Sequence, residues 1–244
     1  MNGDTLLERS AAFERKLNAL KKQEAVEFQW YPYGSLNNFV ALREIFNKYP
    51  LDLLLDKHAR TLDIGAADGD ISFFLESLGY SVTIVDNGPT NYNGLRGARV
   101  LKERPHSNAE IHEIDLDTQF KLPQRRYDMI FFLGILYHLK NPFYILEALS
   151  YMTTYMAVST RVAQFTTDRT NISNAAVAYL LGPTESNNDY TNYWIFSDAG
   201  LRRILDRTGW DIVEITNFGD TDASNPSDPD HDERAFVFVR SRNG

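Results

Sequence analysis

A glycine-containing turn between an apolar strand and a helix constrains the fold of this chain more than any other feature. The turn lies in residues 61–70, TLDIGAADGD, and a second apolar run, VTIVD, ends at Asp86. In a strand–turn–helix–strand unit of this kind, glycines let the backbone approach a nucleotide-like cofactor, and the acid at the second strand end accepts hydrogen bonds from ribose hydroxyls. We therefore predict an α/β fold with a cofactor at the turn.

The acids in the turn bear on the chemistry of that cofactor. A dinucleotide fingerprint has the spacing Gly-x-Gly-x-x-Gly, whereas here Ala67 stands where the second glycine is expected. Asp63 and Asp68 would repel a pyrophosphate, while a cationic sulfonium and an amino group would be attracted. The turn therefore disfavours a nicotinamide dinucleotide.

This pattern resembles the first motif of class I methyltransferases that use S-adenosylmethionine. Residues 127–138, YDMIFFLGILYH, are similar to their fourth strand and the following loop, and the resemblance extends over residues 55 to 240. It implies a Rossmann-like, seven-stranded sheet with helices on both faces, an N-terminal helical cap and an insertion after the fifth strand. It also implies that S-adenosylmethionine is the cofactor.

The amino-acid composition limits where this protein could act and what it could bind. The 244 residues include no cysteine and carry a net charge of -8. The absence of cysteine, of a signal peptide and of a long apolar run predicts a cytoplasmic protein that does not enter membranes and has no thiolate metal site. The five histidines are scattered without metal-ligand spacing, so we predict no metal. The acidic balance disfavours a nucleic-acid substrate such as tRNA.

The chain divides, on this interpretation, into a helical and aromatic cap segment at residues 1–55 and a methyltransferase domain at 56–244. An amphipathic helix from Asp4 to Glu24 would pack against the domain or against the other subunit of a homodimer. We predict further helices and strands by alternation. The helices are 38–48, 70–78, 90–102, 143–152 and a capped 197–208, and the strands are 61–64, 81–85, 110–114, 127–132, 155–159, 210–217 and 235–240.

The polar stretch at about residues 161–192 is too long for an ordinary connection, and long insertions are often lids or binding loops. A helix-like piece lies within it at 174–181. The last two strands are expected to form an antiparallel hairpin.

Ligands of open α/β sheets bind at the carboxyl ends of the strands, which predicts the cofactor residues. Asp63 would meet the cofactor's ammonium, and Asp86 would accept from both ribose hydroxyls. The resemblance places adenine against Asp115 and Leu116, with Asp117 as a near equivalent. The predicted cofactor-binding set is Asp63, Gly65, Ala67, Asp86, Asp115, Leu116 and Gly134.

Methyl transfer is an in-line displacement that needs alignment, a dry pocket and a base only where the nucleophile must lose a proton. Tyr137 and His138 follow Gly134 and are the catalytic candidates. His138 either acts as the base or holds the backbone, and Tyr137 would contact the cofactor or the substrate rather than carry a proton.

Four residues are candidates for substrate binding. Tyr31 and Tyr33 belong to an aromatic segment that either packs or lines a pocket. Arg161 and Arg234 either bind a carboxylate or phosphate of the substrate or are surface charges.

Residues 134–142, GILYHLKNP, also resemble a loop of bacterial enzymes that modify wobble uridine in tRNA with carboxy-S-adenosylmethionine. That resemblance implies that Tyr137 and Arg234 hold the extra carboxylate of the cofactor. We predict methyl transfer from ordinary S-adenosylmethionine to an oxygen or nitrogen nucleophile of a small molecule. The alternatives are methyl or carboxymethyl transfer to a tRNA base, and an inactive cofactor-binding protein that serves as an interaction partner.

Overall fold

The computed structural model describes residues 1–104, 107–118 and 120–244. Nine strands and seven α-helices occur in this described part of the chain. The helices are α1 (Gly3–Gln23), α2 (Asn38–Lys48), α3 (Leu51–Leu54), α4 (Asp70–Ser77), α5 (Arg96–Glu103), α6 (Pro142–Ser150) and α7 (Asp198–Arg207). The strands are β1 (Arg60–Ile64), β2 (Ser81–Asp86), β3 (Glu110–Glu113), β4 (Tyr127–Leu133), β5 (Thr153–Val162), β6 (Ala178–Leu180), β7 (Trp194–Phe196), β8 (Trp210–Gly219) and β9 (Glu233–Ser241). The predicted α/β class is confirmed, but the described residues contain nine strands and not the predicted seven, because the polar insertion and the residues just after it supply the paired strands β6 and β7.

Two compact units make up the chain. The described residues within 1–115 and 119–131 form the first unit, and those within 116–118 and 132–244 form the second. The boundary predicted near residue 55 stays a prediction.

The first unit contains a parallel sheet in the order β3-β2-β1-β4. β1 and β2 are in register from Arg60 opposite Ser81 to Ile64 opposite Val85. Both strands therefore end at the same edge, so the turn after β1 lies beside the acid that ends β2.

The N-terminal helices contribute to the core of this unit. The ring of Phe74 on α4 lies 5.7 Å from Phe13 on α1 and 5.2 Å from Phe39 on α2, measured between ring centroids. Phe39 also contacts Phe131 on β4 at 6.5 Å. Because such rings bury large apolar areas, α1 and α2 are anchored to the same core as the parallel strands.

The second unit is built on β5, which pairs antiparallel with β9, and β9 pairs antiparallel with β8 as the predicted hairpin. β5 also pairs parallel with β7 at Val162 opposite Phe196. Ser197 caps α7 by accepting from the amide of Gly200 at 2.9 Å, as its position in the sequence predicts. The buried Trp210 donates from Nε1 to the carbonyl of Leu146.

Two predicted helices are wrong in whole or in part. The piece at 174–181 contains the strand β6, whose backbone pairs antiparallel with β7 because that partner satisfies its hydrogen bonds. The helix predicted at 90–102 begins only at Arg96. Asn91 and Asn93 accept hydrogen bonds from the amides of Leu95 and Gly97 and so compete with the helical pattern.

None of the helices in the described residues combines the length and apolar character needed to cross a bilayer.

Candidate active site

The turn between β1 and α4 has an unusual backbone. Gly65, Ala67 and Gly69 have φ angles of 73°, 53° and 84°, in the left-handed region. A side chain at Gly69 would place its Cβ 2.8 Å from Cε2 of Phe73, so position 69 requires glycine for space as well as for conformation. The amide of Gly65 donates to the carbonyl of Val85 at 2.8 Å, which ties the turn to the end of β2.

Asp86, at the carboxyl end of β2, faces this turn. Its Oδ2 accepts from the amide of Ala67 at 3.0 Å and from Nδ2 of Asn91 at 2.8 Å, and its Oδ1 accepts from the amide of Asn87 at 2.7 Å. Burial raises the pKa of Asp86, and the Asn91 and Ala67 hydrogen bonds act against that rise. A carboxylate has about four acceptor positions. Three are used within the protein, so one hydroxyl can be added without moving a present donor.

Asp63 near the end of β1 is buried, with only 2% of its surface exposed. Its Oδ2 accepts from the hydroxyl of Ser72 on α4 at 2.6 Å. Burial raises the pKa of Asp63 to about 7, with the Ser72 hydrogen bond opposing and the charge of Asp86 adding to the rise. Its predicted contact with the cofactor's ammonium stays a prediction, and the structure supplies a carboxyl that a nearby cation would ionise.

Asp68 requires a correction to the charge argument made from the sequence. Its Oδ2 lies 3.1 Å from Nζ of Lys21, and its Oδ1 accepts from Nδ2 of Asn93 at 2.7 Å. Asp68 is buried and already paired with a cation, so its charge is not available to attract a cofactor. The expected attraction of a cationic cofactor therefore depends on Asp63 and Asp86.

Lys21, Asn91 and Asn93 were missed as site residues. The signal for Lys21 was its spacing, since it falls on the buried stripe of α1 with Leu6 and Leu17. A lysine at such a position needs a buried acid as its partner. The two asparagines carried no comparable signal, because their partners come from tertiary structure.

These residues fit an adenosyl group joined to a cationic sulfonium. The left-handed turn leaves Gly65 partly exposed and without a side chain. Asp86 keeps acceptor capacity for a ribose hydroxyl, and Asp63 is a buried carboxyl whose hydrogen bond comes from a neutral hydroxyl. A second phosphate-binding glycine is absent at Ala67. The carboxyl groups of Asp63 and Asp86 therefore suit a cationic ligand better than a pyrophosphate.

The residues predicted to hold adenine lie after β3. Asp117 accepts from the backbone amides of Lys140 and Asn141, each at 2.9 Å, and so anchors the start of α6. The adenine contact expected of Asp115, with Asp117 as a near equivalent, stays a prediction. The neighbouring Leu116 is buried, with 5% of its surface exposed.

The segment after β4 places Gly134, Tyr137 and His138 on a loop and a short 3₁₀ helix at Leu136–His138. Gly134 has a φ of 75°, and its amide donates to the carbonyl of Ser159 at 2.9 Å. The carbonyl of Tyr137 accepts from the amide of Tyr193 at 2.8 Å. The predicted insertion is thus fastened to the loop that carries the catalytic candidates.

His138 has a defined orientation. Its Nδ1 lies 3.0 Å from the carbonyl oxygen of Thr191 and 3.0 Å from the Thr191 hydroxyl, which itself donates to Asp189 at 2.6 Å. A carbonyl only accepts, so we assign the proton to Nδ1, and Nε2 carries the lone pair. Nε2 has no hydrogen-bond partner within the described residues. Burial lowers the pKa of His138, while the Thr191 hydrogen bond and Asp189 oppose that effect.

The two predicted arginines differ in accessibility. Arg161 on β5 is buried, and its guanidinium donates to Asp232 and Ser186. These bonds use Nε and Nη1 of Arg161, and its predicted role in substrate binding stays a prediction. Arg234 on β9 is 38% exposed, and its Nη1 donates to the hydroxyl of Tyr137 at 3.4 Å.

The aromatic segment forms a cleft of about 350 Å³ in the first unit. Trp30, Tyr31 and Tyr33 line it together with Lys22, and the rings of Tyr31 and Tyr33 lie 5.4 Å apart. Tyr33 is 71% exposed, so its ring is not committed to the core. The substrate role of both tyrosines stays a prediction, and the cleft is consistent with it.

Comparison with solved structures shows the same fold in proteins of low sequence identity. The N-terminal domain of EvdMO1 with S-adenosylhomocysteine bound is 18% identical, with 95% of this chain and 97% of that chain covered and a TM-score of 0.58. The same domain, in the presence of S-adenosylhomocysteine and D-fucose, is also 18% identical, with 95% of this chain and 97% of that chain covered and a TM-score of 0.60. An S-adenosylmethionine-dependent methyltransferase from Mesorhizobium loti is 15% identical, with 83% and 97% covered and a TM-score of 0.57.

No significant match was found among curated protein sequences. The similarity of residues 134–142 to the tRNA-modifying enzymes is not confirmed by these comparisons. The model of the methyltransferase domain family matches residues 37–215, which is well over half of the chain. The chain therefore belongs to the methyltransferase domain family.

Proposed function

We propose that this enzyme transfers the methyl group of S-adenosylmethionine to an oxygen or nitrogen atom of a small molecule, with His138 as the general base. The observation that carries the proposal is the bonding of the His138 ring. Nδ1 is held by Thr191, and Nε2 is left as an acceptor. A histidine that only supported the backbone would not need its second nitrogen left without a hydrogen bond among the described residues.

The protonation state of His138 suits this role. Because burial lowers its pKa, the imidazole is neutral at pH 7 and can accept a proton. When a proton passes to Nε2, the positive charge that develops is close to the acceptors provided by Thr191 and Asp189. The chain from Asp189 through Thr191 to His138 therefore orients the ring and stabilises its protonated form.

The reaction balances with this one base. When bound, the cofactor would supply a methyl group attached to a sulfonium sulfur. The bond between that carbon and the sulfur breaks, and the sulfur leaves as a neutral thioether. The acceptor's oxygen or nitrogen forms the new bond to carbon, and its proton moves to Nε2 of His138. The remaining residues position the reactants, in keeping with a displacement whose electrophile is already activated.

Arg234 and Tyr137 are proposed to bind the acceptor. The guanidinium lies 5.8 Å from the centroid of the Tyr137 ring, and Asp232 lies 3.4 Å from Nε of Arg234. A partly exposed guanidinium presents a planar fork to a carboxylate or phosphate. We therefore include acidic acceptors among the candidates.

Two observations favour small molecules with hydroxyl groups over tRNA. The chain carries a net charge of -8, whereas proteins that bind nucleic acid by contacting its phosphates need a basic surface. One of the similar structures was determined in the presence of D-fucose, a sugar with several hydroxyl groups. Sugars and hydroxylated acids therefore belong in the first acceptor panel.

The experiment is a transfer assay that measures S-adenosylhomocysteine with a panel of hydroxylated, phenolic and amine acceptors and with bulk tRNA. With the acceptor that reacts fastest, His138→Ala should lower kcat by about 100-fold while the Kd for S-adenosylmethionine stays unchanged. His112→Ala is the matched control, because His112 is a partly exposed histidine on β3. It should retain wild-type activity.

Three outcomes would contradict the proposal. Transfer to tRNA with no transfer to small molecules would replace the acceptor class. Cofactor binding without transfer to any acceptor would favour an interaction protein. A kcat for His138→Ala within about threefold of wild type would leave His138 with a structural role.

A further inference from the structure

The cofactor turn is held from two sides. Ala67 is a non-glycine residue with a φ of 53°, and such a strained conformation persists only where surrounding contacts over-determine it. On one side, Asp86 accepts from the amide of Ala67 and Asn91 donates to its carbonyl at 3.2 Å. On the other side, the next residue, Asp68, is held by groups outside the turn.

Asp68 joins three parts of the first unit. Its Oδ2 contacts Nζ of Lys21 on α1 and accepts from the backbone amide of Tyr31 at 2.9 Å. Its Oδ1 accepts from Nδ2 of Asn93, which also donates to the carbonyl of Gln29 at 3.3 Å. The carboxylate thus fastens the N-terminal helix, the aromatic segment and the loop after β2 to the cofactor turn.

Lys21 bridges the two acids that flank the end of the turn. Its Nζ lies 3.1 Å from Oδ2 of Asp68 and 2.8 Å from Oδ1 of Asp70, the first residue of α4. The side chains of Lys21, Asp68 and Asp70 are 9%, 1% and 7% exposed. Nζ also lies 5.4 Å from the centroid of the Trp30 ring. The two buried carboxylates on either side of Gly69 therefore share one lysine as their counter-ion.

We infer that Lys21 is a positioning residue for the cofactor: from the N-terminal helix it holds Asp68 and Asp70 and thereby fixes the left-handed turn in its cofactor-binding shape. Removal of one partner of a buried charged group leaves the others uncompensated, which is strongly unfavourable. Asp68 and Asp70 would then separate or move toward solvent. Either movement changes the backbone on both sides of Gly69, where the cofactor is expected to lie.

The expected effect is a loss of the binding-competent turn. Where only a tenth of the molecules hold that conformation, the apparent Kd rises tenfold, since it scales with the reciprocal of the competent fraction. Lys21→Met keeps a long, helix-compatible side chain and removes only the charge. It should raise the Kd for S-adenosylmethionine at least about tenfold in the folded protein.

The experiment is isothermal titration of the full chain with S-adenosylmethionine, together with urea unfolding of the same samples. Leu17→Ala is the matched control, because Leu17 is buried on the same face of α1 and its apolar side chain cannot pair with the turn acids. It should lower the unfolding midpoint while leaving the Kd near that of wild type. Lys16→Met removes an exposed charge from the same helix and should change neither quantity.

An equal rise in Kd for Leu17→Ala and Lys21→Met would show that docking of α1, rather than the charged bridge, supports the turn. A wild-type Kd for Lys21→Met would overturn the inference outright. If Lys21→Met does not fold, Asn93→Ala serves as the second variant, because it removes another bond to Asp68. A wild-type Kd for Asn93→Ala would then count against the inference.

This inference rests on the cofactor and not on the proposed acceptor. Titration with S-adenosylmethionine needs no acceptor and no turnover. Failure to find a methyl acceptor would therefore leave the Lys21 result intact, and an unchanged Kd would leave the proposed base His138 untouched.

Discussion

Replacement of Asp63 by asparagine should stabilise the protein without cofactor at alkaline pH. Asp63 is buried, and burial raises its pKa from 3.8 to about 7. Between these values the folded protein keeps a proton that the unfolded chain has released, so stability falls as pH rises. At about 1.4 kcal/mol for each pKa unit, the loss is about 4 kcal/mol, and it is complete slightly above pH 7.

About 2.5 kcal/mol of this loss falls between pH 5 and pH 8. The asparagine side chain has no charge and can still accept the hydrogen bond from Ser72, so the variant should lack this part of the pH dependence. Urea unfolding of the wild type and Asp63→Asn at both pH values measures the difference. Asp56→Asn, in an exposed position before β1, is the matched control and should follow the wild type.

Cofactor binding should change the favoured form of Asp63 from the protonated carboxyl to the carboxylate. A bound cation stabilises the carboxylate, so binding near pH 6 should release a proton from the wild type, and affinity should rise with pH up to about 7. Asp63→Asn should bind more weakly and without this pH dependence. Titrations in buffers of different ionisation enthalpy detect the proton. A wild-type and variant stability difference that is the same at pH 5 and pH 8 would refute the reasoning for Asp63.

Three further outcomes are expected. Asp86→Ala should weaken S-adenosylmethionine binding by about 1.5 to 3 kcal/mol through lost charge-assisted hydrogen bonds, and an unchanged Kd in titration calorimetry would contradict the ribose role. Gly69→Ala should destabilise the fold by about 1 to 3 kcal/mol in urea unfolding, because its φ is 84° and the new Cβ would meet Phe73; wild-type stability would show that the turn can adjust. In the pH profile of kcat/KM, the acidic limb should lie below pH 6.5, because a neutral His138 is required and burial lowers its pKa; this limb should be absent in His138→Ala.

Local pattern accounts for the parts of the fold that the sequence predicts well. β1, β2 and the turn between them are apolar runs punctuated by glycines, and their form depends on neighbours in the chain. The N-cap at Ser197 is equally local, because the hydroxyl accepts from an amide only three residues away. The family resemblance of the turn and of residues 127–138 then leads to the cofactor.

Contacts between distant residues account for what the sequence did not predict. β6 is a strand because β7 pairs with it. The late start of α5 is instead a local effect, because Asn91 and Asn93 accept from the amides of Leu95 and Gly97, each four positions later. The pairing of residues far apart in the chain leaves no periodic signal in either segment.

The sequence by itself determined the fold class, the cofactor turn and Asp86, because strand, glycine and helix signals act over a few residues. Only the tertiary structure decided which charges are available at the site. It buries Lys21 against Asp68, 47 positions later in the chain, and sets the His138 proton by Thr191, 53 positions later. The electrostatic state of a group depends on burial and on spatial neighbours, and these exist only after the chain has folded.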